Sequence, residues 1–301
     1  MNLQHLVVAC DKTEAARAAQ AAALSIARRV HARISVIYVA TALLQRPIEV
    51  PLGTVPPVPD RDGLAEEFDN LCLWWRSGPR AVDDAPGADI PVACMVGLGL
   101  PSVEITRYAE DHEADLIVMT RKRHSQLRRM LLGDTADSVV RRSPVPCLFV
   151  PPDGFDESPI LVAADGTERG LGVVHAGIAF ARAIGGDVSF VTVEQPHEDE
   201  PSHLIERLPG ERSVMLARDL DQVALHGERN GRLDEKLSAA QRLTVRRGSP
   251  VPEILQEVSD TQAGVLVVGY HRGGPPGPLE SRSVARQLTH RAPCAVLTVP
   301  L

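Results

Sequence analysis

A chain of 301 residues, 44% hydrophobic and 24% charged, has material for about two hydrophobic cores and lies near the average for globular domains. Its formal charge of -7 and pI near 5.8 exclude a general electrostatic attraction to nucleic acid. No apolar run reaches the roughly 18 residues of a membrane-spanning helix, and the opening MNLQHLVVACDKT does not read as a secretory leader. The expectation is a soluble, cytoplasmic protein.

Short β-rich runs alternate with longer helical patterns. In chain order, the first half predicts a strand at 5–10, a helix at 14–31, a strand at 33–39 and a helix at 64–82. A strand at 90–96, a helix at 101–113, a strand at 115–119, a helix at 134–142 and a strand at 146–150 follow. Strands recur near 160–164, 187–193, 242–247, 264–268 and 294–299. Each strand is a continuous apolar run, as expected where helices cover both sheet faces. In AARAAQAAALSIARR the larger apolar groups recur at helical spacing among alanines that suit close helix–sheet contact. This alternation predicts an α/β fold of doubly wound, five-stranded parallel sheets, Rossmann-like in layout.

The pattern is written twice. LVVACDKTE from Leu6 matches ILVAADGTE from Ile160, and the register holds without gaps to ISVIYV from Ile34 and VSFVTV from Val188. A second ungapped block aligns GLPSVEITRYAEDHEADLIVMT from Gly99 with GSPVPEILQEVSDTQAGVLVVG from Gly248 and runs on to Pro151 and Pro300. Only the stretch between the blocks changes length. Two tandem domains, 1–152 and 158–301, are expected, joined at the turn-rich PPDGFDESP of 151–159.

Ligands of such sheets lie at the carboxyl ends of the strands, where the strand order reverses. That points to Asp11-Lys12-Thr13 and Thr120–Asp134 in the first half, and to Asp165-Gly166-Thr167 and Gly269–Ser283 in the second. The aspartates stand just before helix starts, so helix capping is an alternative, compatible role.

With VVACDKTE and ILVAADGTE on strand one, ADLIVM before the strand-four loop and HRAPCAVLTV at the end, the chain resembles tandem universal stress proteins over nearly its whole length. The resemblance implies a non-enzymatic stress-response protein, with adenine nucleotide, ATP or a relative, as its ligand. ATP-binding members carry Gly-x2-Gly-x9-Gly-Ser/Thr after strand four, where glycines admit phosphates to backbone N–H groups at a helix start. The first half places Thr120, Arg123, Gly133 and Asp134 there and keeps only Gly133. The second half places Gly269, Arg272, Arg282 and Ser283 there and keeps the first and last. Carried over residue by residue, the implied nucleotide positions are Asp165, Gly166, Val193, Gly248, Gly269, Arg272 and Ser283 in the second half. Their first-half counterparts are Asp11, Val39, Gly99, Arg123 and Gly133. Weak or selective binding, favouring the second domain, is the expectation. Arg123 and Arg272 share one motif position: either arginine contacts an anion there, with Arg128 or Arg129 helping in the first half, or the loop is a solvated basic turn.

Other chemistry finds little support. There is no Gly-x4-Gly-Lys-Ser/Thr loop, no HExxH and no Gly-x-Ser-x-Gly elbow, so neither catalytic nor metal-ligating residues are assigned. HEDEPSH, His197 to His203, reads as a solvated acidic loop, and Trp74-Trp75 as helix packing rather than base stacking. RPIEVPLGTVPPVPDRDG is a loop suited to cover the first cleft or meet a partner. The five cysteines are scattered and read as reduced packing residues. Two other functions stay open: an interaction module that has lost nucleotide binding, and an ATP-dependent enzyme or weak ATPase. The expected partners are a regulatory protein of unknown identity and self-association through the fifth strands, as a pseudo-dimer within the chain or a homodimer. Nucleic acid and membrane are not expected.

Overall fold

The computed structural model describes residues 2–40, 61–78, 90–121, 135–195, 213–218, 220, 242–271 and 283–301. The chain divides into two compact units, Asn2–Phe155 and Asp156–Leu301. In the first, β1 (His5–Ala9), α1 (Ala16–Val30), β2 (Arg33–Ala40), α2 (Arg61–Ser77) and β3 (Val92–Leu98) precede α3 (Pro101–Asp111), β4 (Leu116–Thr120), α4 (Thr135–Arg142) and β5 (Cys147–Val150). Its strands lie in the order β3-β2-β1-β4-β5, all parallel.

The second unit holds β6 (Ile160–Ala163), α5 (Glu168–Ile184), β7 (Val188–Glu194), β8 (Leu243–Arg247), α6 (Pro250–Asp260), β9 (Val265–Tyr270), α7 (Val284–Arg291) and β10 (Ala295–Pro300). Its order, β8-β7-β6-β9-β10, repeats the first and is again parallel. The doubly wound α/β prediction is correct. In each unit the order reverses at the first strand, so the switch point lies beyond β1 and β4, and beyond β6 and β9.

The cores follow from the continuous apolar strands. Leu6, Val7, Val8, Leu116, Ile117 and Val118 are fully buried, as are Ile160, Leu161, Val162, Val265, Leu266 and Val267. Ala19, Ala22, Ala23 and Ala27 are the buried stripe of α1, where small side chains let the helix lie close to the sheet. Both first helices end in a left-handed residue whose N–H reaches back to the last turn: His31 to Ala27 O and Gly185 to Ala181 O.

Two elements differ from the sequence reading. α2 ends at Ser77 rather than near 82, because Gly78 and Pro79 follow and the residue before a proline leaves helical geometry. β3 spans Val92–Leu98 rather than 90–96: Ile34 N–H donates to Pro91 O at 2.8 Å, and the ladder then runs from Ile34↔Val92 to Ala40↔Leu98. Among the described residues, no helix is long and apolar enough to cross a membrane.

Candidate functional site

The two first-strand exits share one turn. Asp11 Oδ1 accepts from Thr13 N–H at 3.1 Å and from the Thr13 hydroxyl. Asp165 Oδ1 accepts from Thr167 N–H at 3.0 Å and from its hydroxyl at 2.7 Å. The residue between is left-handed in both, Lys12 at φ 58° and Gly166 at φ 68°. Each aspartate thus freezes a side-chain turn at the switch point.

The capping question has different answers in the two units. Thr167 caps α5, its hydroxyl accepting from Gly170 N–H at 3.1 Å, and Asp165 orients that hydroxyl. A Cβ at Gly170 would sit 2.5 Å from Asp165 Oδ1, so glycine there lets the carboxylate lie against the first turn. No side chain caps α1.

The larger contrast lies in the middle residue. Lys12 Nζ pairs with Glu67 of α2 and stands 3.9 Å above the centre of the Tyr38 ring on β2. A carboxylate and an aromatic face hold the ammonium over the first-strand exit. α2 is tied down nearby: Arg17 donates to Trp74 O at 2.6 Å and stacks on the Trp74 ring, while Gln20 donates to Trp75 O at 2.7 Å. Trp75 is buried, so this pair packs its helix. In the second unit Gly166 has no side chain to project, and Thr192 stands where the aligned register puts Tyr38.

At the third-strand exits, Gly99 and Gly248 have φ of 135° and 138°, a region open essentially only to glycine. Each precedes a helix with proline in its first turn. A Cβ would fall 3.4 Å from Glu104 Oε1 at Gly99, and 3.1 Å from Glu253 Oε1 at Gly248. The neighbours of the second-strand residues differ. Val39 pairs with Gly97, whereas Val193 pairs with Arg246. Arg246 donates to Glu257 at 2.6 Å, pairs with Asp260 and stands 3.6 Å from Glu253. Glu257, a buried carboxylate, is the main cause holding the guanidinium above its ordinary pKa.

A model of the universal stress protein family matches residues 2–151 and again 158–300. The chain belongs to this family. Universal stress protein Rv2005c of Mycobacterium tuberculosis is 25% identical over 266 residues, covering 83% of this chain and 84% of that one. The crystal structure of a universal stress protein from Archaeoglobus fulgidus aligns over 98% of both chains at a TM-score of 0.67 and 18% identity. A functionally unknown protein, PA1789 of Pseudomonas aeruginosa, aligns over 99% of this chain and 92% of its own at a TM-score of 0.58 and 15% identity. At these identities the two structures speak for the fold alone.

Within the two universal stress units, the exit of the fourth strand is described at its rims. Thr120 donates to Ala15 O at 3.1 Å, binding β4 to the start of α1. Arg121, the first of the four successive basic residues 121–124, is buried at 6% exposure, so the run does not begin as a solvated turn. At Gly269 a Cβ would lie 2.7 Å from both Val173 Cγ2 and Leu301 Cδ1, and this close approach accounts for the glycine. Ser283 caps α7, its hydroxyl accepting from Arg286 N–H at 3.4 Å. Arg123, Arg128, Arg129, Gly133, Asp134, Arg272 and Arg282 lie outside the described residues, as do 197–203 and the proline-rich loop before α2.

Of the predicted positions, the fold places Asp11, Val39, Gly99 and Thr120 at the carboxyl end of the first sheet, and Asp165, Gly166, Val193, Gly248 and Gly269 at that of the second. Ser283 opens α7, the helix after β9. The sequence reading missed Lys12, Tyr38 and Glu67 as a group. The one available signal was lysine aligned with glycine inside otherwise matched turns.

Proposed function

We propose that this chain is a non-catalytic, adenine-nucleotide-responsive regulatory protein whose ligand site is in the second unit. The observation carrying this reading is the matched pair of turns: Gly166 leaves the first-strand exit without a side chain, while Lys12, clamped by Glu67 and Tyr38, stands over the other. Asp165 would fix the ribose side, with Val193 and Gly248 beside it. Gly269, Ser283 and Arg272 would face the phosphates. Arg272 and Arg123, at the motif position where a glycine is absent, suit an anion by charge and planar donor geometry.

The direct check is thermal melting with millimolar Mg-ATP. Ligand at about 100 times its dissociation constant adds about 2.7 kcal/mol. A raised melting temperature in the parent that Asp165→Ala abolishes supports the reading; no shift in the parent removes it.

A second reading has its own support. Gly269 is accounted for by packing and Ser283 by capping, so both retained motif residues have work that needs no phosphate. On that reading the chain is a protein-interaction module, and an unchanged melting temperature favours it. Self-association through the fifth strands belongs to both readings. Sedimentation velocity at micromolar concentration tests it, and a purely monomeric species would remove a homodimer.

A further inference from the structure

The first sheet ends on an edge strand that carries no charge. β3 reads VACMVGL, Val92 to Leu98, and no described strand pairs with its outer side. Open edges are ordinarily blunted by charged side chains, proline or a bulge, because their N–H and C=O groups recruit another strand. The matching edge of the second sheet is guarded in this way: β8 is shorter and ends in Arg246-Arg247. On β3, Val92 and Met95 are 39% and 38% exposed instead, and three residues apart they stand on opposite faces.

The backbone of this edge has a fixed sense. Ile34 N–H donates to Pro91 O and Gly99 N–H to Ala40 O at 3.4 Å, so the odd-numbered residues from 91 to 99 bond β2. The N–H and C=O groups of Val92, Cys94, Val96 and Leu98 therefore point outward. α2 packs on β3, with Trp74 turned toward α1, where its ring meets Arg17. Helical spacing puts Phe68, Asp69 and Arg76 on the flank turned away from α1, beside the open edge. All three are exposed, Phe68 at 43%. Along the exposed side of α2 the acids Glu66 and Asp69 come first and Arg76 last.

We propose that this edge is the interface for a second copy of the chain, β3 pairing antiparallel with β3 of that copy about a two-fold axis at Met95. Centred there, Val92 faces Leu98 of the second copy and Cys94 faces Val96, so every outward N–H and C=O gains a partner. Met95 meets its own counterpart in the close, non-hydrogen-bonded pair on the axis. The same axis sets the two α2 helices antiparallel on one face. Arg76 of each copy then approaches the Glu66–Asp69 turn of the other. An acid-before-base order is self-complementary in that arrangement, as a two-fold interface requires, whereas parallel helices would set like charges together. The interface takes nothing from the fifth strands and does not depend on nucleotide binding.

The test combines sedimentation of the full chain with hydrogen exchange read by mass spectrometry, both run from about 1 μM to about 100 μM, a range that brackets a micromolar dissociation constant. The expected result is a dimer at the upper end, with exchange across 92–98 slowing as concentration rises and exchange across 243–247 unchanged. Met95→Lys, which sets two ammonium groups on the axis, should weaken the dimer at least about 10-fold. Arg76→Glu should weaken it too, and adding Glu66→Arg and Asp69→Arg to that variant should restore it. A parent that stays monomeric throughout would overturn the proposal. So would protection of 92–98 that ignores concentration, concentration-dependent protection confined to the fifth strands, or a dimer indifferent to Met95→Lys. The exchange measurement on the parent decides even if a variant fails to fold.

Discussion

Asp11-Lys12-Thr13 and Asp165-Gly166-Thr167 are the same turn made twice, with the same hydrogen bonds and a left-handed middle residue in each. Yet one turn carries an ammonium clamped between a carboxylate and a tyrosine, and the other carries no side chain at all. A non-glycine residue held left-handed costs about 1–2 kcal/mol. Glycine would avoid that cost, so Lys12 holds its place at some expense in backbone strain. A duplicated scaffold can thus keep the geometry of a switch-point turn while altering access to it through one residue.

The contrast extends to the edge strands, and there it breaks most sharply. Gly97 faces Val39 in the first unit, whereas Arg246 faces Val193 and neutralises the buried Glu257. Arg246→Met should strand that carboxylate and destabilise the second unit by about 3 kcal/mol, read by urea unfolding. A loss under about 1 kcal/mol would show that Glu257 finds water or protonates instead. The next effect compares the fourth strands. Gly269→Thr copies the first unit's Thr120 but drives a side chain into Val173 and Leu301, so about 2 kcal/mol should be lost. An unchanged melting temperature would return the glycine to a ligand-binding explanation.

Lys12→Gly sharpens the comparison from the other side. It gives up a partly exposed ion pair worth under about 1 kcal/mol and relieves a left-handed strain of similar size. Stability should therefore stay within about 1 kcal/mol, while the first-strand exit becomes like the second. A large loss would make Lys12 a structural strut rather than a cover.

The smallest effect is at the opposite end of the first sheet. His5 is buried, facing Ser35 Oγ at 2.8 Å and His112 O at 3.0 Å, with Arg33 and Asp115 beside it. Burial is the main cause holding its pKa below the ordinary value. Protons then bind the unfolded chain more readily, so this contribution is complete above about pH 6.5 and fades as pH falls through the folded pKa. Urea midpoints should fall more steeply between pH 7 and 5 in the parent than in His5→Gln. Equal slopes would assign the acid sensitivity elsewhere.

Repeat register and unbroken apolar runs made the ten strands, their parallel sense and the positions of the switch-point loops legible. What escaped depends on contacts between distant residues. Glu67 lies where the halves differ in length, so no repeat partner points to it. The packing of Gly269 against Val173 and Leu301 could not be read, because Leu301 is at the far end of the chain. The end of α2 was overrun because a helical pattern continues through Gly78-Pro79, where backbone chemistry rather than periodicity decides.

The central claim is that the two units differ in access at the first-strand exit. Isothermal titration of the intact protein with Mg-ATP tests it, run in parallel on Asp11→Ala and Asp165→Ala. One site per chain is expected, unchanged in Asp11→Ala and weakened at least about 10-fold, or about 1.4 kcal/mol, in Asp165→Ala. Two equivalent sites, or a site lost in Asp11→Ala and kept in Asp165→Ala, would contradict it.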